Sequence, residues 1–375
     1  MLMNTLGRNR VSALGLGMMR LPQKDGKIDR EAAAAMVDRA MEAGINYYDT
    51  AWFYHGGESE AFVGEALCAR YPRETFYIAT KLPFGDCRSA KDAEKIFSTQ
   101  CQRLQADYVD YYLLHGIGQQ GWSHCRETGI LDYVKGLREQ GRIKHLCFSY
   151  HDSPEVLEQI LSESEGMFDF VQLQLNYHDW TAIGAGKMYE ACERRGIPVV
   201  VMEPVRGGNL AMMNPEVVKV FQDADPTASP ASWALRFCAT LPDVKVVLSG
   251  MSNMEQLNDN IKTFTNFKPL KGKDQAVLNQ AVDVMNRLPL TGCTGCRYCV
   301  SICPQGVDIP AAFRLYDGYV KFNNPRELTW RYLHEIPSEK QATACVECGA
   351  CAQKCPQNLD IPALLKSVHQ KAESL

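Results

Sequence analysis

Residues 44–54 read Gly44-Ile45-Asn46-Tyr47-Tyr48-Asp49-Thr50-Ala51-Trp52-Phe53-Tyr54. The stretch before them, 30–43, has helical character. Gly44 follows it as helix-terminating glycines do, because glycine tolerates the left-handed backbone of a C-terminal cap. Residues 45–48 then make a short apolar strand, closed by Asp49. The same succession recurs along the chain. Candidate strands lie at 11–16, 45–48, 76–79, 108–114, 143–148, 170–175, 198–202 and 244–248, eight in all. Helix-like segments fall between them at 30–43, 58–70, 90–104, 128–140, 154–162 and 186–195, with Gly141 and Gly196 behind two of these. Repeated β–α units favour a parallel sheet. Eight of them in roughly 250–290 residues suit a closed (β/α)8 TIM barrel. The alternative, an open doubly wound sheet, lacks the G-x-G-x-x-G expected between its first strand and helix, and Gly15-Leu16-Gly17 is not that motif.

The rest of the composition narrows the class. At a soft prior of roughly 150 residues per domain, 375 residues suggest about two domains. Hydrophobic residues at 46% and charged residues at 22% fit a globular chain and exclude a disordered or collagen-like one. A net charge of −4 gives no overall attraction to nucleic acid or to an anionic membrane. No apolar run approaches the roughly 20 residues of a membrane span. Residues 1–10 hold no apolar signal core, so a cytoplasmic protein is expected.

Cysteine is the departure, with 15 copies. Seven are single: Cys68, Cys87, Cys101, Cys125, Cys147, Cys192 and Cys238, and these read as small buried hydrophobes. The other eight form two runs, Cys293-x2-Cys296-x2-Cys299-x3-Cys303-Pro304 and Cys345-x2-Cys348-x2-Cys351-x3-Cys355-Pro356. This is the ligand spacing of bacterial-type 4Fe–4S clusters. Three thiolates within seven residues let one loop wrap three corners of a cubane, and in two-cluster ferredoxins the last cysteine of each run crosses to the other cluster. The expected sets are therefore Cys293, Cys296, Cys299 and Cys355 for one cluster, and Cys345, Cys348, Cys351 and Cys303 for the other. Zinc, the alternative, prefers separated pairs of ligands. Between the runs, Ile309, Phe313, Leu315, Tyr316, Tyr319, Val320 and Phe322 recur at helical gaps. A second short helix starts near Ile361-Pro362. The segment resembles the all-helical ferredoxin modules fused to other oxidoreductases, and the chain divides into a barrel over 1–285 and a ferredoxin-type domain over 286–375.

In a barrel, chemistry gathers at the C-terminal ends of the strands. Those positions hold Asp49, Lys81, His115 and Ser149, with Tyr54 five residues beyond Asp49. The stretches 44–51, Ala79-Thr80-Lys81 and Leu113-Leu114-His115 resemble the aldo/keto reductases over about 8–265. With the tail, the chain resembles the ferredoxin-fused branch of that family. The resemblance implies a catalytic tetrad of Asp49, Tyr54, Lys81 and His115. The chemistry agrees. A phenol has a pKa near ~10, and a neighbouring ammonium held charged by Asp49 lowers it. Tyr54 would exchange a proton with a carbonyl or alcohol oxygen, and His115 would polarise that oxygen.

The resemblance also implies a nicotinamide cofactor, NAD or NADP. It places Ser149 and Gln172 at the carboxamide, Met202 beneath the ring, and Gly17, Met18, Asp49, Pro204, Gly207 and Gly208 along the cofactor. Gly250, Gln256 and Asn260 would lie at the adenosine end. Relatives often carry cations at the positions of Gly250 and Gln256 for a 2′-phosphate. Those cations are missing here, so the reading leans toward NAD, with Arg206 and Lys262 as the nearby residues that could substitute for them. Trp52, Phe53, Trp122 and Trp180 are candidates for an apolar pocket wall, and 116–125, with three glycines, for a mobile lid.

A nicotinamide moves two electrons and each 4Fe–4S cluster one, and no flavin motif is evident to join them. The clusters are then structural, or a relay to a separate redox partner protein, or joined to the nicotinamide through a bound flavin or a radical step. The overall expectation is an NAD(P)-dependent carbonyl/alcohol oxidoreductase. The alternative is a non-catalytic nucleotide-sensing or electron-transfer subunit that docks a redox partner.

Overall fold

The computed structural model describes residues 1–375. Eight parallel strands close into a barrel: β1 (Leu14–Gly17), β2 (Tyr47–Asp49), β3 (Tyr77–Leu82), β4 (Val109–Ile117), β5 (Ile143–Tyr150), β6 (Val171–Gln174), β7 (Val199–Met202) and β8 (Val244–Ser249). Each strand pairs with the next in sequence, and β8 returns to β1 through Val247, Leu248 and Ser249 opposite Leu14, Gly15 and Leu16. The barrel closes because these strands are buried on both faces and carry long apolar runs, as in Val199–Met202. Gly44, with φ of 82°, ends the helix Arg30–Glu42 and lets the chain turn back into β2.

Two expected elements differ. The stretch 11–16 is not one strand. Asn9–Ser12 pairs antiparallel with Met3–Leu6, and β1 begins at Leu14. The hairpin's Leu6 and Val11 pack with Tyr47, Tyr111, Phe170 and Val200 inside the barrel, so its inward side chains read like a continuation of β1. The stretch 58–70 is a short α-helix, Ser59–Val63, followed by a π-turn over Gly64–Cys68. A side chain at Gly64 would meet the carbonyl oxygen of Arg103 at 2.2 Å, so the two backbones can touch only because residue 64 is glycine.

The chain packs as two compact units, 1–207 with 231–270, and 208–230 with 271–375. The first contains the whole barrel. In the second, the helices Pro215–Ala224 and Lys273–Arg287 pack together. The helix Ile309–Phe322 buries Ile309, Ala312, Phe313, Leu315 and Phe322 and leaves Tyr316, Tyr319 and Val320 half-buried. It packs on the helix Ile361–Glu373. Both helices start alike, at Asp308-Ile309-Pro310-Ala311 and Asp360-Ile361-Pro362-Ala363, each three residues past a Cys-Pro and its following Gln. In each, the aspartate caps the helix by accepting from the backbone N–H three residues on.

Candidate active site

The strand ends converge on Lys81, which is 1% exposed. Its ammonium has three N–H donors, and all three are used. They reach Asp49 Oδ1 at 2.7 Å, the Thr50 carbonyl at 2.8 Å and the Tyr54 hydroxyl at 3.2 Å. Tyr54 is aimed inward by a tight turn in which His55 and Gly56 take φ of 53° and 65°. The His115 ring stands edge-on to Tyr54 with centroids 6.1 Å apart. Asp49, Tyr54, Lys81 and His115 are therefore brought together as one cluster.

Burial opposes a charge on Lys81, but the Asp49 carboxylate and Tyr54 more than offset it, and the ammonium is held above its ordinary pKa. Burial also pushes the Tyr54 phenol up, and the attraction of Lys81 recovers only part of that rise. The expected net lowering of Tyr54 is thus not seen, because desolvation of the phenol, helped by the nearby Asp49 and Glu203 charges, outweighs the pull of Lys81. His115 is pushed down to about 3 by burial, with Lys81 and His151 adding to the effect, so its imidazole is neutral. Its Nδ1 is buried without a partner, as is Asp49 Oδ2.

A buried network that the sequence did not flag supports Lys81 from behind. Glu60, fully buried, accepts from Thr80 Oγ1 at 2.7 Å, Gln100 Nε2 at 2.6 Å and Arg103 at 3.2 Å. Gln100 also donates to the Lys81 carbonyl at 3.0 Å. Arg103 lies 4.0 Å over the Trp52 ring. A lone Glu in a helical stretch gives no sign of this role, since its partners lie 20 to 43 positions away.

The cofactor candidates fall as follows. Ser149 and Gln172 sit side by side on β5 and β6. Ser149 Oγ accepts from the Gly116 N–H at 2.8 Å, and Gln172 Oε1 is buried with no partner. Gln172 Nε2 lies 3.7 Å from Met202 Sδ. Gly17 is the register neighbour of Asp49, and Met18 is buried beside it. Pro204 is buried, while Gly207 and Gly208 take φ of 66° and 102°. Gln256 Oε1 accepts from Ser252 N at 2.8 Å at the start of the helix Met254–Thr265. Asn260 donates to Ser249 Oγ at 3.0 Å. An unpartnered buried amide oxygen at a strand end fits a ligand that carries an amide donor, such as a carboxamide.

Three expectations are corrected. Arg206 is committed to Asp179 at 3.0 Å, so it is not a spare cation for a phosphate. Residues 116–125 are not a loose lid. They enter the helix Gln119–Glu127, where Gly121 packs on Phe84 and Gly118 on Asp152 at separations a side chain would not allow. Trp122 is buried, donates to Glu163 at 2.7 Å and packs on Phe168, while Trp180 packs on Tyr189 and Phe237. These two rings brace helices. Phe53, 52% exposed and 6.0 Å from the His115 ring, is the aromatic that faces the site.

In the second unit, Cys293, Cys296, Cys299 and Cys355 line one cavity with Ile309, Phe313 and Leu359. Cys303, Cys345, Cys348 and Cys351 line another with Val307, Ile309 and Leu365. The grouping matches the crossed pairing of the two runs. The thiols ring each cavity rather than converging on a single metal-ion position. Four thiols around each cavity are a donor set that fits a 4Fe–4S cubane.

The aldo/keto reductase family profile matches residues 13–283, the whole of the barrel with its Lys–Asp–Tyr–His cluster. The chain belongs to that family, and it carries a 4Fe-4S dicluster domain match over residues 292–359. It is similar to L-galactose dehydrogenase of Arabidopsis thaliana, with 26% identity over 74% of this chain and 91% of that protein. It is also similar to the NADH-specific methylglyoxal reductase of Escherichia coli, with 27% identity over 53% of this chain and 65% of that protein. Among solved structures it resembles a holo-form aldo-keto reductase from Bacillus halodurans, at a TM-score of 0.62 and 25% identity, over 74% of this chain and 95% of that one. No helix is long and apolar enough to cross a membrane.

Proposed function

We propose that the chain interconverts a small carbonyl compound and its alcohol with NAD(P)H, and that its eight clustered cysteines hold two 4Fe–4S clusters. The observation that carries the enzymatic reading is the three-way engagement of the Lys81 ammonium by Asp49, Thr50 and Tyr54. A bound nicotinamide would supply or accept the hydride. Tyr54 gives its hydroxyl proton to the carbonyl oxygen as negative charge builds there, and the Lys81 ammonium stabilises the phenolate left behind. Burial strengthens that ion–ion contact when the phenolate forms. His115, neutral, donates a hydrogen bond to the same oxygen. Gln172 Oε1 and Ser149 Oγ orient the carboxamide, and Met202 fills the space beneath the ring. The names of the two relatives, an L-galactose dehydrogenase and a methylglyoxal reductase, support a small oxygenated substrate. With Arg206 paired to Asp179, an NAD cofactor remains the favoured reading.

The clusters brace the second unit. Cys299 and Cys351 are buried members of its hydrophobic core, so the cavities they line are gaps that a cluster would fill.

The test is Tyr54→Phe, assayed with NADH and NADPH on a panel of aldehydes and ketones. A fall in kcat of about 10²- to 10⁴-fold, with cofactor affinity kept, is expected for loss of the acid. Full turnover by the variant, or none by the parent protein on any carbonyl, would refute the enzymatic reading.

A further inference from the structure

The two cysteine runs begin an internal repeat in which each position has its counterpart 52 residues on. Cys303-Pro304-Gln305 corresponds to Cys355-Pro356-Gln357, and Asp308-Ile309-Pro310-Ala311 to Asp360-Ile361-Pro362-Ala363. Gly306 and its counterpart Asn358 both take left-handed backbone, with φ of 65° and 53°. The repeat breaks in charge further along its two helices. Asp317 and Lys321 of the helix Ile309–Phe322 correspond to His369 and Glu373 of the helix Ile361–Glu373, so acid and base change places.

The exchanged residues hold equivalent posts. Asp317, half-buried, accepts from the Thr291 N–H at 2.7 Å and from the Thr291 hydroxyl at 3.0 Å. Thr291 is buried, and its Oγ1 accepts in turn from the Cys293 N–H at 3.3 Å. A carboxylate thus stands one residue behind the first cysteine of its run. In the other half, His369 Nδ1 lies 3.4 Å from the Tyr332 hydroxyl, which accepts from the Ala342 N–H at 2.9 Å, three residues before Cys345. Lys321 and Glu373 lie one turn further from the cysteines, and the Glu373 side chain is 66% exposed, so the nearer member of each pair dominates. Arg297 and Glu347 within the runs are exposed, where water screens them.

We propose that Asp317 and His369 make the two cysteine sites unequal as electron carriers, with the site of Cys293, Cys296, Cys299 and Cys355 at the lower reduction potential. The inference rests on the reading that each site takes a 4Fe–4S cluster. A one-electron reductant such as dithionite gives up one electron, and the site that receives it gains one negative charge. A fixed carboxylate nearby opposes that gain and lowers the potential, whereas an imidazole does not. An electron shared between the two sites therefore comes to rest on the site of Cys303, Cys345, Cys348 and Cys351, and the unit has a direction.

The test uses the full-length protein, reconstituted anaerobically with its iron counted, in a dithionite redox titration at pH 8 followed by EPR. The parent protein should show two separate midpoints. Asp317→Asn, which keeps an oxygen for the Thr291 N–H, is expected to raise the lower midpoint and leave the upper one in place. The electron's partition between the sites should change about tenfold, which is about 59 mV for one electron. Asp317→Glu keeps the charge and should keep the gap. His369→Asp puts a carboxylate at the second post and should lower the upper midpoint by a similar step, and it carries the test if Asp317→Asn loses iron. Cys355→Ser should lose the lower midpoint and keep the upper. Coincident midpoints in the parent protein, midpoints that neither charge substitution moves at full iron content, or a shift in the opposite member of the pair overturn the proposal. A parent protein that takes up far fewer than about eight iron atoms per chain overturns the cluster reading itself, and that failure is visible before any variant is made.

Discussion

The barrel and the cysteine-rich unit solve the same problem, gathering reactive side chains, in opposite ways. In the barrel, Asp49, Lys81 and His115 are 32 or more positions apart, and only closure of the sheet brings them together. Asp49 and Lys81 are then sealed in, while His115 stays half-buried. In the second unit, three of four ligands in each set come from one seven-residue loop, and Cys296 and Cys348 stay exposed. One site is held by the fold and damaged by a single change in charge. The other, on the proposed reading, would hold part of its own fold and depend on what fills it.

The sharpest way to break that contrast is to remove the charge that Lys81 relies on. Asp49→Asn leaves a buried ammonium with no counter-charge. Breaking such a pair costs about 3–5 kcal/mol, measurable by urea unfolding, with the deficit shrinking at high pH as Lys81 loses its proton. An unchanged unfolding midpoint would mean the pair is not what holds this strand end.

The corresponding change in the second unit is Cys355→Ser. With crossed ligand sets, it should empty the site of Cys293, Cys296 and Cys299 while Cys303 still serves the other. Iron should fall from about eight to about four atoms per chain, with lower thermal stability of the second unit. Retention of all the iron would break the crossed assignment.

The smallest effect concerns pH. His115 has a folded pKa of about 3 against an ordinary 6.5. The unfolded chain therefore binds the extra proton below about pH 6.5, and folding stability falls as pH drops through that window. Between pH 7 and 5 the loss from this group is about 2 kcal/mol. His115→Gln should flatten that part of the stability profile. An identical acid slope in the variant would show that His115 is not the group held neutral.

What the sequence made legible follows the same division. The grouping of the eight cysteines around two cavities was readable because spacing within one loop is itself the signal. The strand-end residues were readable because each closes a short apolar run, so Asp49, Lys81 and His115 announce the end of β2, β3 and the buried part of β4. Glu60 announces nothing. Its meaning lies in Thr80, Gln100 and Arg103, which no local pattern links to it. The glycines of 116–125 misled for a related reason: a glycine needed for close packing on Phe84 looks the same in sequence as one needed for flexibility.

The crossed cysteine sets have a consequence for how the protein is made. With Cys303 waiting for Cys345, Cys348 and Cys351, and Cys293, Cys296 and Cys299 waiting for Cys355, neither set is whole until the second run has been synthesised. The two become whole within four residues of each other. For the time the ribosome takes to add the intervening residues, three or four thiols are held ready with no cubane to close around. If the crossed sets hold clusters as proposed, neither site would be complete before the second run exists, and the two would be loaded together rather than in turn.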